Sequence, residues 1–126
     1  MTPSILIIEN DIVDRELTED LIGEEGLDVR FASDVKSALM MLIKIRPVLI
    51  LTSLTLPKID GFTLTRILKN DADTCDIVVV ALTDFKRDDY YEKIITTGFD
   101  GYISLPLDKR TFLEKVNFFL KNNTSI

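Results

Sequence analysis

Ile77-Val78-Val79-Val80-Ala81-Leu82, closed by Thr83 and Asp84, is an apolar run with no polar interruption. A strand exposed on one face alternates polar with apolar residues. A continuous run of strand length marks a strand covered on both faces, as in a parallel sheet sandwiched between helices. Toward the amino terminus, Val48-Leu49-Ile50-Leu51 and Ile5-Leu6-Ile7-Ile8 read the same way. Val29-Arg30-Phe31-Ala32 and Tyr102-Ile103-Ser104-Leu105 are mixed in polarity, which places those two strands nearer the sheet edges.

Amphipathic stretches separate the strands. Val13, Leu17 and Leu21 recur at four-residue spacing and end near Gly26. Ser33 is expected to cap a second helix carrying Val35, Ala38, Leu39 and Leu42, which must stop before Pro47. Phe62 to Leu68 suits a short third helix, and Asp88 to Thr97 a fourth with Gly98 as its stop. Asp108 is expected to cap a fifth, with Phe112, Val116, Phe119 and Leu120 on one stripe. Residues 1–121 then form one domain, and the polar stretch 122–126 reads as a linker or tail. Five βα units in one small domain imply a doubly wound α/β sandwich, because parallel strands need right-handed crossovers. In such sheets the functional groups gather at the carboxyl ends of the strands.

Composition narrows the function classes. The chain has 126 residues, the size of one domain, and 46% of them are hydrophobic, enough for a real core. The formal charge of −6 repels phosphate backbones and anionic lipid, so neither nucleic acid nor membrane is expected as a partner of this domain. The single cysteine, Cys75, allows no internal disulfide, and no basic residue adjoins it in sequence to make it a reactive thiol. The opening residues carry no signal-peptide pattern, and no apolar run reaches membrane-spanning length, so a cytoplasmic location is expected.

The strand ends carry a constellation. Glu9, Asn10 and Asp11 follow the first strand. Thr52 and Ser53 follow the third and lead into Leu54-Thr55-Leu56-Pro57-Lys58-Ile59-Asp60-Gly61-Phe62. Thr83 and Asp84 follow the fourth, and Leu105-Pro106 ends the fifth. In order and spacing, over essentially the whole chain, this resembles the response-regulator receiver domain. The most specific stretch is Leu56 to Phe62, supported by the acidic cluster, the Leu82-Thr83 strand end and Gly98-Phe99-Asp100-Gly101-Tyr102. The resemblance implies a flavodoxin-like (βα)5 three-layer sandwich with a parallel sheet of order 2-1-3-4-5.

In that family an aspartate at the third strand accepts a phosphoryl group from a histidine kinase. Acidic residues after the first strand hold Mg²⁺, and a Thr or Ser and a lysine contact the phosphoryl oxygens. Carried over position by position, the resemblance puts Ser53 in the acceptor place and Glu9 and Asn10 in the two acidic places, so one carboxylate is missing there, with Asp11 next in the chain. Thr83 and Tyr102 fall on the switch positions, and Leu105 stands where the lysine belongs. A serine hydroxyl needs a general base that an ionised aspartate does not, and the chain has no histidine. Mg²⁺ wants charged oxygen ligands, and phosphoryl transfer depends on electrostatic help that Leu105 cannot give.

The resulting expectation is a pseudo-receiver: a binding module rather than an enzyme, with no cofactor and no metal. Its partner would be a protein: a histidine kinase, an output domain of its parent, or a second copy. The family's usual partner face, made by the fourth helix, fifth strand and fifth helix, would include Tyr90, Tyr91, Lys93, Ile94, Tyr102, Lys109 and Phe112. The alternative is an atypical phosphoacceptor using Ser53, with a weak Mg²⁺ site at Glu9 and Asp11. A small-ligand binder of flavodoxin type is disfavoured, because no Gly-rich phosphate loop follows the first strand. Bland readings stand beside these. Ser53 is then a buried hydroxyl satisfied by backbone, Glu9 and Asp11 are helix-start carboxylates, and Thr83 and Tyr102 are packing residues.

Overall fold

The computed structural model describes residues 4–11, 16, 20, 26–83, 89–104 and 109–124. The described elements run β1 (Ser4–Ile8), β2 (Asp28–Ala32), α1 (Val35–Lys44), β3 (Leu49–Ser53), α2 (Gly61–Lys69), β4 (Val78–Thr83), α3 (Asp89–Thr97), β5 (Gly101–Ser104) and α4 (Lys109–Thr124). The helix expected around Val13, Leu17 and Leu21 lies outside the described residues, apart from Glu16 and Asp20, which are helical and exposed. The Asp108 cap lies outside them too.

All strand pairings are parallel, and the sheet order is β2-β1-β3-β4-β5. This is the flavodoxin-like doubly wound sheet, with the two mixed-polarity strands at its edges as expected. The three apolar runs occupy its centre because only central strands are covered on both faces. Ile5, Ile7, Leu49, Leu51, Val80 and Leu82 point to one face, where Phe112, Val116 and Phe119 of α4 meet them. Leu6, Ile8, Ile50, Val79 and Ala81 point to the other and pack on α1, α2 and α3. Each fully buried aliphatic side chain contributes roughly 1.5–3 kcal/mol relative to exposure.

Several boundaries differ from expectation. β3 extends through Thr52 and Ser53, and β4 through Thr83, so these hydroxyl residues end strands rather than follow them. β-branched threonine suits the pleated backbone despite its hydroxyl. Asp34, not Ser33, caps α1. Its carboxylate accepts the Ser37 backbone N–H at 2.8 Å, the bond that satisfies an orphan donor of the first turn. The hydrogen bonds from Ser37, backbone then hydroxyl, together with Lys58 and Lys36, outweigh desolvation and hold the Asp34 carboxyl below its ordinary range. α4 continues to Thr124, through residues expected in the tail, since neither glycine nor proline interrupts 109–124.

Ile94 is a correction of a different kind. It is buried in the core beneath α3 and is unavailable to a partner, and Phe112 is buried likewise. On a short helix, residues three apart share a face, so Tyr91 and Ile94 look equivalent in sequence. The burial of Ile94 against the sheet side decides between them.

Candidate functional site

Strand register gathers the site at the carboxyl edge of the sheet. Ile8 pairs with Thr52, so Glu9 comes level with Ser53, the last residue of β3. Ser53 in turn pairs with Leu82, and Thr83 stands one residue beyond. Glu9 and Thr83 are buried, Ser53 is half-buried, and Asn10 and Asp11 are exposed. The backbone N–H of Glu9 continues the β1–β2 ladder by donating to Ala32 at 3.1 Å. Its carboxylate turns back over the chain and accepts the Asp11 backbone N–H at 3.0 Å. Thr52 is fully buried and donates its hydroxyl to the Ser53 carbonyl at 3.0 Å. The Ser53 side chain is half-buried rather than buried, and among the described residues its hydroxyl has no hydrogen-bond partner.

The loop after β3 fixes the edge sterically. Gly61 approaches so closely that an added Cβ would lie 2.3 Å from the Ser53 carbonyl oxygen. Its N–H donates to the Leu54 carbonyl at 2.9 Å, closing the loop on itself. Lys58 takes a positive φ of 67°, and Ile59 N–H reaches back to the Pro57 carbonyl at 2.7 Å. Asp60 then caps α2 by accepting the Thr63 N–H at 2.8 Å. Burial pushes the Asp60 carboxyl up. The Thr63 hydrogen bonds, with Lys93 and Arg66 nearby, outweigh it and hold the group below the ordinary carboxylate range. The asparagine or glycine that a left-handed turn favours is absent at Lys58, so this turn was not legible as such.

This chain matches the family model described as the response regulator receiver domain over residues 5–117. The chain belongs to the receiver domain family. It is 32% identical to the DNA-binding dual master transcriptional regulator RpaA of Synechocystis over 124 residues, covering 98% of this chain and 52% of that protein. It therefore spans about half the length of RpaA. It is also 32% identical to the polar-differentiation response regulator DivK of Brucella ovis over 120 residues, covering 95% of this chain and 98% of DivK. Among solved structures, the signal receiver domain of a signal transduction histidine kinase from Syntrophus aciditrophicus superposes with a TM-score of 0.91 at 25% identity. That match covers 99% of this chain and 95% of the other. Receiver domains are signalling domains of two-component systems, and this one shares their fold throughout.

In this receiver domain the structure brings Glu9, Asn10, Asp11, Ser53 and Thr83 together at one edge. Tyr102 lies elsewhere, on β5, half-buried, with its ring edge-on to Tyr91 of α3 at 5.9 Å and Lys115 of α4 over its face at 5.4 Å. Leu105 and Asp84 lie outside the described residues, as do the side chains of Tyr90 and Lys109. Among the described residues no three Asp, Glu, His or Cys side chains come together in a metal-sized group. No described helix is long and apolar enough to cross a membrane.

Sequence reasoning missed two exposed apolar residues, one on α3 and one on α4. Ile95 is 56% exposed and Phe118 is 58% exposed, close to the 48% of Tyr91. Phe118 was findable, because it sits off the buried stripe of Phe112, Val116 and Phe119. Sequence reasoning also missed that Lys93 reaches over the Phe62 ring at 4.3 Å instead of facing a partner freely.

Proposed function

We propose that this receiver domain signals without taking a phosphoryl group and acts through protein contact on the face of α3, β5 and α4. The observation that carries the reading is the donor set at the carboxyl edge of the sheet. The hydroxyl of Ser53 stands where the resemblance places a carboxylate, beside Glu9, the one buried carboxylate among the described residues, which already accepts the Asp11 backbone N–H. A divalent ion of Mg²⁺ type seeks several charged oxygens in near-octahedral array. A neutral hydroxyl, the amide of Asn10, the exposed Asp11 carboxylate and a Glu9 carboxylate already accepting a backbone N–H fit it poorly. Leu105 at the lysine position leaves transferred charge without its counter-charge. Tyr91, Ile95 and Phe118 supply the large exposed groups that anchor interfaces. The partner is then a histidine kinase, an output domain of a longer parent, or a second copy.

A second reading keeps one observation in its favour. Glu9 comes level with Ser53 in the sheet register and is a candidate to act as its general base, with Asp11 adding a weak Mg²⁺ site. Titration with Mg²⁺ and beryllofluoride, followed by calorimetry and amide NMR, separates the two. The first reading predicts no saturable heat and no shifts at Glu9, Ser53 or Thr83. A saturable site at those residues supports the second and overturns the first.

A further inference from the structure

Away from the site, a groove of about 480 Å³ runs between α1 and α2. Leu39, Leu42 and Ile43 line it from α1, Ile67 lines it from α2, and Ile77 lies at its base. Ile43 is 84% exposed, the largest value among the exposed large hydrophobics of the described residues. Met40 on α1 and Ile67 on α2 are exposed with it. Scattered single apolar residues on a surface need no explanation, but a cluster around one concavity does.

The two walls of this groove carry opposite charge. Lys44 and Arg46 stand on the α1 side, and Asp71 and Asp73 on the side of the loop that follows α2. Arg46 braces the walls by donating to the Asp73 carbonyl at 2.6 Å and the Asp76 carboxylate at 2.8 Å. Asp71 is held in place by accepting the Asp73 N–H at 2.8 Å. Lys44 is exposed at the rim. A cationic wall facing an anionic one is self-complementary under one particular symmetry. A two-fold axis running along the groove, between two copies, lays each copy's cationic wall on the other's anionic wall. A two-fold axis across the groove would instead put like on like.

From this arrangement we propose that the α1–α2 groove is an isologous interface for a second copy of this chain. Ile43 of each copy seats in the other's groove, and each Lys44 meets the other's Asp71. The charge pattern favours this occupant: a strand or helix of uniform sign would gain on one wall what it loses on the other. The chain's net charge of −6 opposes association generally, so an interface between copies needs a locally balanced patch, which this groove provides. The proposal concerns a face distinct from α3–β5–α4 and does not rest on the phosphorylation state of Ser53.

Sedimentation velocity on the full chain from micromolar to millimolar concentration is the test. The expected result is a reversible monomer–dimer equilibrium. Ile43→Asp weakens it by at least about tenfold, the loss expected on removing one seated anchor, with the melting temperature unchanged at so exposed a position. Lys44→Glu and Asp71→Lys each weaken it alone. Mixed in equal amounts they recover a heterodimer. The glutamate introduced in one variant then faces the lysine introduced in the other, while the native Lys44 of the second faces the native Asp71 of the first. A chain monomeric throughout the range overturns the proposal, as does a dimer indifferent to Ile43→Asp or a mixture that fails to recover. Loss of the dimer on Phe118→Ala, with Ile43→Asp silent, moves self-association to the α3–β5–α4 face and also overturns it.

Discussion

The two ends of the sheet are built on different terms. At the amino end, Asp100 binds across strands: its backbone N–H donates to the Val79 carbonyl at 2.8 Å, and its carboxylate accepts the Val79 N–H at 2.8 Å. Lys69 completes the latch, donating to that carboxylate at 2.7 Å and to the Ile77 carbonyl at 2.8 Å. Side chains there hold the fold. At the carboxyl end the backbone closes on itself, through Gly61 against Ser53 and Leu54, while Ser53 is half-buried and Asn10 and Asp11 are exposed. A chain can therefore change the chemistry at the carboxyl end without losing the fold, provided Gly61 stays.

That contrast can be broken most sharply at Gly61. Gly61→Ala forces a Cβ against the Ser53 carbonyl oxygen, a backbone atom that cannot swing aside, and is expected to cost about 3 kcal/mol in denaturant unfolding. At the opposite end, Asp100→Ala leaves the Val79 N–H without its acceptor and the Lys69 ammonium with the Ile77 carbonyl alone. It should cost about 2 kcal/mol by the same measurement. A cost near zero there would contradict the latch.

Asp60→Ala removes a helix cap at the carboxyl end and is expected to cost about 1 kcal/mol at neutral pH. Its pH dependence has a definite sign. The folded carboxyl lies below its ordinary value, so the charged cap stabilises fully above the unfolded value of about 3.9 and fades as pH falls through the lowered one. The difference between wild type and variant should shrink over that acid window and be flat above it. Ser53→Ala is the smallest change, within about 0.5 kcal/mol, because a half-buried hydroxyl without a partner among the described residues supports nothing. A larger loss would mean that the carboxyl end is structural after all.

The strands were legible because central parallel strands leave an unmistakable apolar signature, and Ile50, Val79 and Ile7 sit where that signature requires. Their ends were less so, because Thr52, Ser53 and Thr83 are polar in composition yet remain in the ladder. The choice of Asp34 over Ser33 as cap turns on a backbone dihedral that adjacent capping residues do not reveal. The candidate site was readable as a set of strand-end positions, and register brings Glu9, Ser53 and Thr83 together. The proposed partner face was only half readable: Tyr91 is exposed, Ile94 is not, Phe118 could have been found off the buried stripe of its helix, and Ile95 became visible through burial alone.

Intact-mass spectrometry after incubating the chain with a small-molecule phosphodonor and Mg²⁺ tests the central claim most directly. The account predicts one unmodified species, unchanged by Ser53→Ala. Stoichiometric addition of a phosphoryl group, mapped to Ser53 and abolished by Ser53→Ala, would contradict it.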